Sequence, residues 1–244
     1  GADLLDLGVP FEADVVYHLA GCPGVRRQGP AVEARRHRDN VEATARVLAL
    51  TPAGVPLVIT SSSSVYGGAD AGRPSRESDP PRPIGGYARS KVAMEGLCAG
   101  RRVTVARPFT VAGERQRPDM ALATWLAAAR EGRPLRVLGS LDRTRDVTDV
   151  RQVARALIDL TGHPGVVNVG TGRGITLRAL AEAVAEATGT SPELEIVPAS
   201  PVEPGDSLAD TGRLRALIGW VPETDLATLV RRQLAGSLAG VDSA

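Results

Sequence analysis

The sequence predicts a parallel α/β fold with a smaller mixed lobe, and three observations carry the prediction. Short apolar runs at 14–20 (DVVYHLA), 55–60 (VPLVIT) and 102–106 (RVTVA) alternate with stretches of helical periodicity, the order that sets parallel strands between crossover helices. The first run ends at small residues and the second leads directly into Ser61–Ser64, and active-site groups in open α/β sheets collect at such carboxyl ends. Beyond Pro108 the alternation loosens into shorter, mixed pieces.

Taken in order, 14–20 reads as a buried parallel strand. Residues 32–50 read as a helix, with Val41, Ala45, Leu48 and Ala49 on one face and Pro52 and Gly54 after its end. The strand 55–60 follows, then a Gly/Pro/Asp/Arg-rich loop at 67–86, a helix at 87–99 and the strand 102–106. In the second half, helices are expected at 121–130, 150–160, 177–188, 211–217 and 225–238, and strands at 135–138, 166–169 and 193–197. A Pro/Gly/acidic loop lies at 199–207. The sequence contains no internal repeat.

Composition excludes several classes. The 244 residues suit one large domain or one and a half, at about 150 residues each. The net charge of +1 does not concentrate the positive charge a nucleic-acid surface needs. No apolar run is long enough for a membrane span, and no basic segment followed by an apolar one marks a leader, so a cytoplasmic setting is expected. Cys22 and Cys98 have no metal-ligand spacing around them, so neither a disulfide framework nor a metal site is expected.

The chain holds 28 arginines and a single lysine, Lys91. A position that keeps lysine against that bias can require a compact ammonium rather than a planar fork. Tyr87 stands four residues earlier on the same predicted helix face. A lysine beside a tyrosine favours the phenolate, so Lys91 is expected to lower the Tyr87 pKa. With Ser62 just past the strand 55–60, these residues supply a hydroxyl, an activated phenol and a cation, a set suited to proton transfer at a carbinol oxygen.

On these residues the chain resembles the extended short-chain dehydrogenase/reductases, in their nucleotide-sugar epimerase/dehydratase branch, and within it the UDP-sugar 4-epimerases. The matching pieces run in the family's order: ADLLD (2–6), DVVYHLAG (14–21), NVEAT (40–44), ITSSSSVYG (59–67) and YARSK (87–91), then ARPFTVAG (106–113), RPDM (117–120), RTRDVTDV (143–150), NVGTG (168–172) and ADTGRLRALIGWVPET (209–224). The resemblance implies a Rossmann-like, doubly wound parallel sheet that binds NAD, formed by 1–112 with 147–170 returning to it. A nucleotide-sugar lobe would comprise 113–146 and 171–244. It implies Tyr87 as catalytic base, Lys91 as its partner on the nicotinamide ribose, and Ser62 on the reacting sugar hydroxyl. Asp3 and Leu4 resemble the adenine-binding pair, and Leu19, Ala20, Gly21, Ser61 and Pro108 the lining of the cofactor. Arg145 and Arg117 resemble nucleotide-side arginines, and Asn40 a structural helix asparagine. A UDP or dTDP sugar as ligand and a homodimer are further implications.

The departures are informative. The glycine-rich turn that cradles the pyrophosphate is absent, as is the acidic residue after the family's second strand. The expected reason is that the first strand–helix–strand units lie outside this sequence, the alternative being a chain that binds no dinucleotide. The interval from Lys91 to Arg107 is shorter than usual, which hints at omitted loop residues. Val202 and Glu203 precede the Pro204–Asp206 motif where the family often has an arginine facing the diphosphate.

Among other residues, His18 is expected to be a packed histidine, His37 and His163 surface residues, Trp125 and Trp220 core anchors, and 35–38 (RRHR) a solvated helix face. The reaction implied is epimerisation at sugar C4. A 4,6-dehydratase needs an acid/base pair directly after Ser62, where this chain has Ser63 and Ser64. A 4-keto-sugar reductase using NAD(P)H and a non-catalytic sugar-nucleotide scaffold are the alternatives. Ser63, Ser64 and Thr110 resemble the hydroxyl cluster that faces a sugar carboxylate in glucuronate-type epimerases. The helix at 121–130 has no cation before Arg130, so a neutral hexose or deoxyhexose is expected, because a buried carboxylate without a cation is costly.

Overall fold

The computed structural model describes residues 3–69, 72–201, 203 and 205–239, the side chains of 237–239 excepted. Ala2, Val202 and Pro204 of the motifs above lie outside the described residues. A four-stranded parallel sheet forms the centre, in the order β1 (Val16–His18), β2 (Leu57–Thr60), β3 (Thr104–Pro108), β8 (Gly165–Val169).

Alternation along the strands sends side chains to both faces. Leu57, Ile59, Val103 and Val105 pack with Val47, Leu48, Met94 and Cys98 on one face. Val58, Ala106, Val167 and Val169 pack with Val153, Ala156, Leu157, Leu160 and Leu214 on the other. The first face is covered by helices α2 (Ala43–Leu50) and α3 (Gly85–Cys98), with α1 (Pro30–Arg36) packed beside α3, and the second by α5 (Val150–Asp159) and α7 (Gly212–Ile218). The sheet is therefore wound on both sides, as expected.

A separate core joins α4 (Ala121–Arg130), β5 (Leu135–Leu138), α6 (Leu177–Thr188) and α8 (Leu226–Ala239) through Leu122, Trp125, Leu126, Val137, Leu180, Val184 and Leu229. Beside it are three two-stranded pairings. β5 runs parallel to β10 (Leu194–Val197), β4 (Thr110–Ala112) parallel to β7 (Val147–Asp149), and β6 (Thr144–Arg145) antiparallel to β9 (Ile175–Thr176). Caps fix the helix starts: Asp149 accepts from Arg151 N at the head of α5, and Thr176 accepts from Ala179 N at the head of α6. Among the described residues no helix is long and apolar enough to cross a membrane.

The expected helix 32–50 is not uniform. Between α1 and α2 a π-helical segment spans His37–Glu42, a widening often found at functional sites. It turns the buried Asn40 inward. The 35–38 run is likewise not wholly solvated: Arg36 is 0% exposed because it points under the loop after β1. Trp125 is buried in the second core, whereas Trp220 is half-buried under Arg155 and donates from Nε1 to Asp159 at 2.8 Å.

Candidate active site

The carboxyl end of β2 feeds a tightly held turn. Ser61 N donates to Ala106 O at 2.7 Å, keeping the chain against β3 for one more residue. Ser62 then caps a 3₁₀ turn over Ser63–Tyr66, its Oγ accepting from Ser64 N at 3.2 Å. Gly67 ends the turn at φ +78°, where a Cβ would fall on the Arg82 carbonyl oxygen. Below it, the Tyr66 hydroxyl donates to Asn168 Oδ1 at 2.6 Å and accepts from Arg107 at 2.8 Å. Arg107 in turn forms a buried two-pronged pair with Glu95 on α3. The serine turn is thus braced against β3, β8 and α3. Ser61 Oγ and Ser64 Oγ are buried without a hydrogen-bond partner among the described residues.

Tyr87, Lys91 and Glu95 share one face of α3, one turn apart. Lys91 is buried and donates from Nζ to Thr60 O at 2.8 Å. Burial pushes its pKa down to about 8, against the charge of Glu95, which raises it. The Tyr87 phenol is pushed above its ordinary range, chiefly by burial. A hydrogen bond with Ser62 and the charges of Arg117 and Arg36 oppose this, and the Cys22 thiol reinforces it. The expectation that Lys91 lowers the phenol is therefore corrected: burial outweighs the opposing groups, and the ammonium is held by the end of β2.

The end of β1 faces the same place. A Cβ at Gly21 would come within 2.5 Å of Asn40 Oδ1 and 3.8 Å of Lys91 Nζ, so glycine lets this backbone pass close to the lysine. Asn40 clamps Cys22 by accepting from its N–H at 2.7 Å and donating to its carbonyl at 3.1 Å. It also donates to Ser90 Oγ at 2.8 Å, and Ser90 donates to Tyr87 O at 2.7 Å. One buried amide thereby ties the loop after β1 to the helix that carries Tyr87. His18 is buried against Thr44, its pKa pushed down to about 4 by burial and by Lys91. Its expected packed role agrees with this, and His37 is exposed while His163 is half-buried.

Asp3, Leu4, Ala20 and Gly21 line, with Arg38, Asp39 and Ala43, an open cavity of about 190 Å³. The Asp3 carboxylate accepts from Leu5 N at 3.0 Å and pairs with Arg38, which together hold it below its usual range. Leu19 is exposed on this side, and Pro108 is half-buried at the end of β3.

Across the sheet end stand the residues expected to meet a substrate. Ser63, Ser64 and Thr110 are half-buried. Arg117 pairs with Asp119 at 2.9 Å, and its charge reaches Tyr87. Arg145 lies further out on β6, bonded to the Thr144 and Gly205 carbonyls, with burial lowering its pKa and Glu203 and Asp206 acting against that. The structure thus brings Ser62, Tyr87, Lys91, Gly21 and Arg117 together, while Arg145 is held by the Thr144 and Gly205 carbonyls.

Sequence reading missed three residues. Arg26 donates to Asp119 O and to Glu203, both at 2.7 Å, bridging the loop after β1 to both arginine-bearing rims. Arg36 and Asp146 are fully buried. The arginine-rich background hid the first two, since nothing in composition separates a surface arginine from a buried one.

The model of the NAD dependent epimerase/dehydratase family matches residues 2–170. The chain belongs to this family. A UDP-glucose 4-epimerase of Mycolicibacterium smegmatis is 34% identical over 93% of this chain and 76% of its own length. A GDP-6-deoxy-D-mannose reductase of Pseudomonas aeruginosa is also 34% identical, over 93% of this chain and 81% of its own. A solved UDP-glucuronic acid 4-epimerase from Bacillus cereus, in complex with UDP-glucuronic acid and NAD, superposes with a TM-score of 0.88. It is 25% identical and covers 98% of this chain and 80% of that one.

Proposed function

We propose that this protein is a nicotinamide-dependent epimerase acting at C4 of a nucleotide-diphosphate sugar. The observation that carries the reading is the meeting of Ser62 with Tyr87 beside a lysine at the sheet's carboxyl end, with hydroxyls rather than carboxylates at the two positions after Ser62.

The residues present fit the two ends of NAD. Asp3, Leu4, Leu19, Ala20 and Gly21 offer a carboxylate and close backbone for the adenosine side. Lys91 and the unpartnered Ser61 hydroxyl offer donors for the nicotinamide riboside, with Pro108 beside them. No glycine-rich turn stands in this chain to cradle the pyrophosphate. When bound, NAD would take hydride from sugar C4 and return it to the opposite face.

The chain's own groups handle the proton. Tyr87 accepts it from the C4 hydroxyl in its phenolate form, the minor form in the buried site that Ser62, Arg117 and Arg36 favour, and Ser62 hydrogen-bonds the sugar oxygen as it becomes the carbonyl of a 4-keto sugar. After the sugar turns over, Tyr87 returns the proton to the same oxygen. Lys91 holds positive charge at the base of this pair. Ser63, Ser64 and Thr110 face the ring, and Arg117 and Arg145 hold the nucleotide side. The same reading assigns 1–112 with 147–170 to the cofactor and 113–146 with 171–244 to the sugar nucleotide, UDP or dTDP. It places a homodimer in the cytoplasm.

Arg117 favours a second reading of the substrate. The neutral sugar follows from the lack of a cation before Arg130 in the helix 121–130; in the second reading Arg117, whose charge acts on Tyr87, faces the sugar rather than the nucleotide. A cation at the reacting end suits a sugar carboxylate. The test incubates the protein with UDP-glucose and, separately, with UDP-glucuronate, without added cofactor, and follows products by chromatography and mass. An isobaric C4 epimer is expected, and the preferred substrate settles its charge. Loss of one water would mean dehydration. If neither substrate is converted, a nucleotide 4-keto sugar is offered with NADPH, and its stoichiometric reduction to the C4 alcohol, with gain of two hydrogens, would point to the reductase. Sugar-nucleotide binding without turnover would leave a scaffold.

A further inference from the structure

Arg36 is fully buried, although Arg35, His37 and Arg38 beside it are exposed. Its guanidinium donates to Glu33 Oε1 at 2.7 Å, to Gly24 O at 2.6 Å and to Arg27 O at 2.8 Å. Nε has no partner among the described residues. A full charge is thus held out of water by a half-exposed carboxylate and two carbonyls, an arrangement that packing alone would not require.

Both ends of this arrangement touch the reacting group's support. The loop held by Gly24 and Arg27 runs beside Arg117, whose Nη2 lies 3.8 Å from where a Cβ of Gly24 would be. The Glu33 carboxylate lies against Gly86, where a Cβ would fall on its oxygens. Gly86 immediately precedes Tyr87 in the first turn of α3, and Ile84 at the N-cap supplies no side-chain cap. A carboxylate is favourably placed at such a helix start.

We propose that Arg36 is a positioning residue for the reaction: through Glu33, which lies against Gly86, and through Gly24 and Arg27 it fixes the start of α3 against the loop after β1. The inference rests on Tyr87 being the proton-transferring group. Ser62 hydrogen-bonds the phenol, Arg117, Arg36 and Cys22 act on it by charge, and Lys91 lies one turn along the same helix face; Arg36 acts in the same sense as Arg117, toward the phenolate. Glu33 partly neutralises that cation.

The test places difluorotyrosine at position 87 of the full chain, which keeps the titration in an accessible range, and follows the midpoint by fluorine NMR. Arg36→Gln should raise the midpoint by about one pH unit, a tenfold loss of phenolate at fixed pH. Arg36→Lys should restore most of it, and Glu33→Gln should lower it. In unlabelled protein the rising limb of kcat should move with the midpoint, with KM within about threefold. An unchanged midpoint in Arg36→Gln, or an unchanged or raised one in Glu33→Gln, overturns the proposal. If Arg36→Gln does not fold, Glu33→Gln decides. Absence of turnover on any sugar nucleotide would strike the epimerase reading and leave the midpoints to decide the role of Arg36.

Discussion

The ammonium of Lys91 and the carbonyl oxygen of Thr60 are joined by a 2.8 Å hydrogen bond between α3 and the end of β2. That carbonyl belongs to the last residue of a strand paired on both sides. The lysine is therefore anchored to the central sheet and stands next to Gly21, just past the end of the neighbouring strand. Its charge is carried at the mouth of the sheet rather than spent on Tyr87.

Holding that charge has a measurable consequence. The Lys91 pKa is about 8 in the folded protein against 10.5 ordinarily. Between those values the unfolded chain keeps a proton that the folded protein has shed, so stability rises with pH across this window. Below about pH 8 the folded state carries the whole cost. Lys91→Met should remove the Lys91 contribution to the slope, and the wild type should gain about 2–3 kcal/mol on the mutant across the window. Urea unfolding of both proteins at several pH values checks this. Tyr66 and Cys98, both raised by burial, titrate nearby in both proteins, so the difference isolates Lys91. Parallel curves would show that Lys91 is not held with a lowered pKa.

Tyr87→Phe keeps the ring and removes the hydroxyl that meets Ser62. Turnover should fall by roughly 10²–10⁴ while KM stays within a few-fold, the pattern of a group used in proton transfer. Ser62→Ala should cost less in kcat, because it removes a hydrogen bond to the reacting oxygen rather than the base. Steady-state kinetics on paired C4 epimers reads both. A Tyr87→Phe enzyme as active as the wild type would take Tyr87 out of the mechanism.

The inner strands of the main sheet were legible because they are continuous apolar runs: Val58 and Ile59 face opposite cores, and both are fully buried; the run 14–20, expected to be a buried strand, is one only over Val16–His18, where His18 alone is buried and Tyr17 is exposed. Ser62, Tyr87 and Lys91 were legible because each is placed by local geometry, a turn at a strand end or one helical turn. The pairings β4–β7 and β6–β9 were not, since two or three residues show no period and their partners lie far along the chain. Nor was the π-helical segment, within which Asn40 makes non-local hydrogen bonds to Cys22 and Ser90. Arg36 escaped for a similar reason: helical periodicity would not bury a charge, and only the carbonyls of Gly24 and Arg27 make that position habitable.

Asp146 is the same kind of residue, and its removal should be the most damaging single change outside the reacting centre. It is fully buried and sits next to Arg145. Oδ1 accepts from Thr171 N and Thr171 Oγ1, both at 2.8 Å, and Oδ2 accepts from Gly172 N at 2.9 Å and Ala209 N at 3.1 Å. One carboxylate thus satisfies three backbone N–H groups from two loops and pins both to the strand pair that carries Arg145. Asp146→Ala would leave those donors buried without acceptors, at about 1–3 kcal/mol each, so a loss of about 4 kcal/mol or more is expected. Asp146→Asn keeps one acceptor oxygen but turns an NH₂ group toward donors, and should lose about 2 kcal/mol. Urea midpoints at unchanged m-value measure both losses. In Asp146→Asn, affinity for the sugar nucleotide should weaken more than kcat falls, because the disturbed loops seat Arg145 and not Tyr87. An Asn variant as stable as the wild type would show that the carboxylate's second oxygen carries no structural load, and an unchanged KM would separate Asp146 from the nucleotide rim.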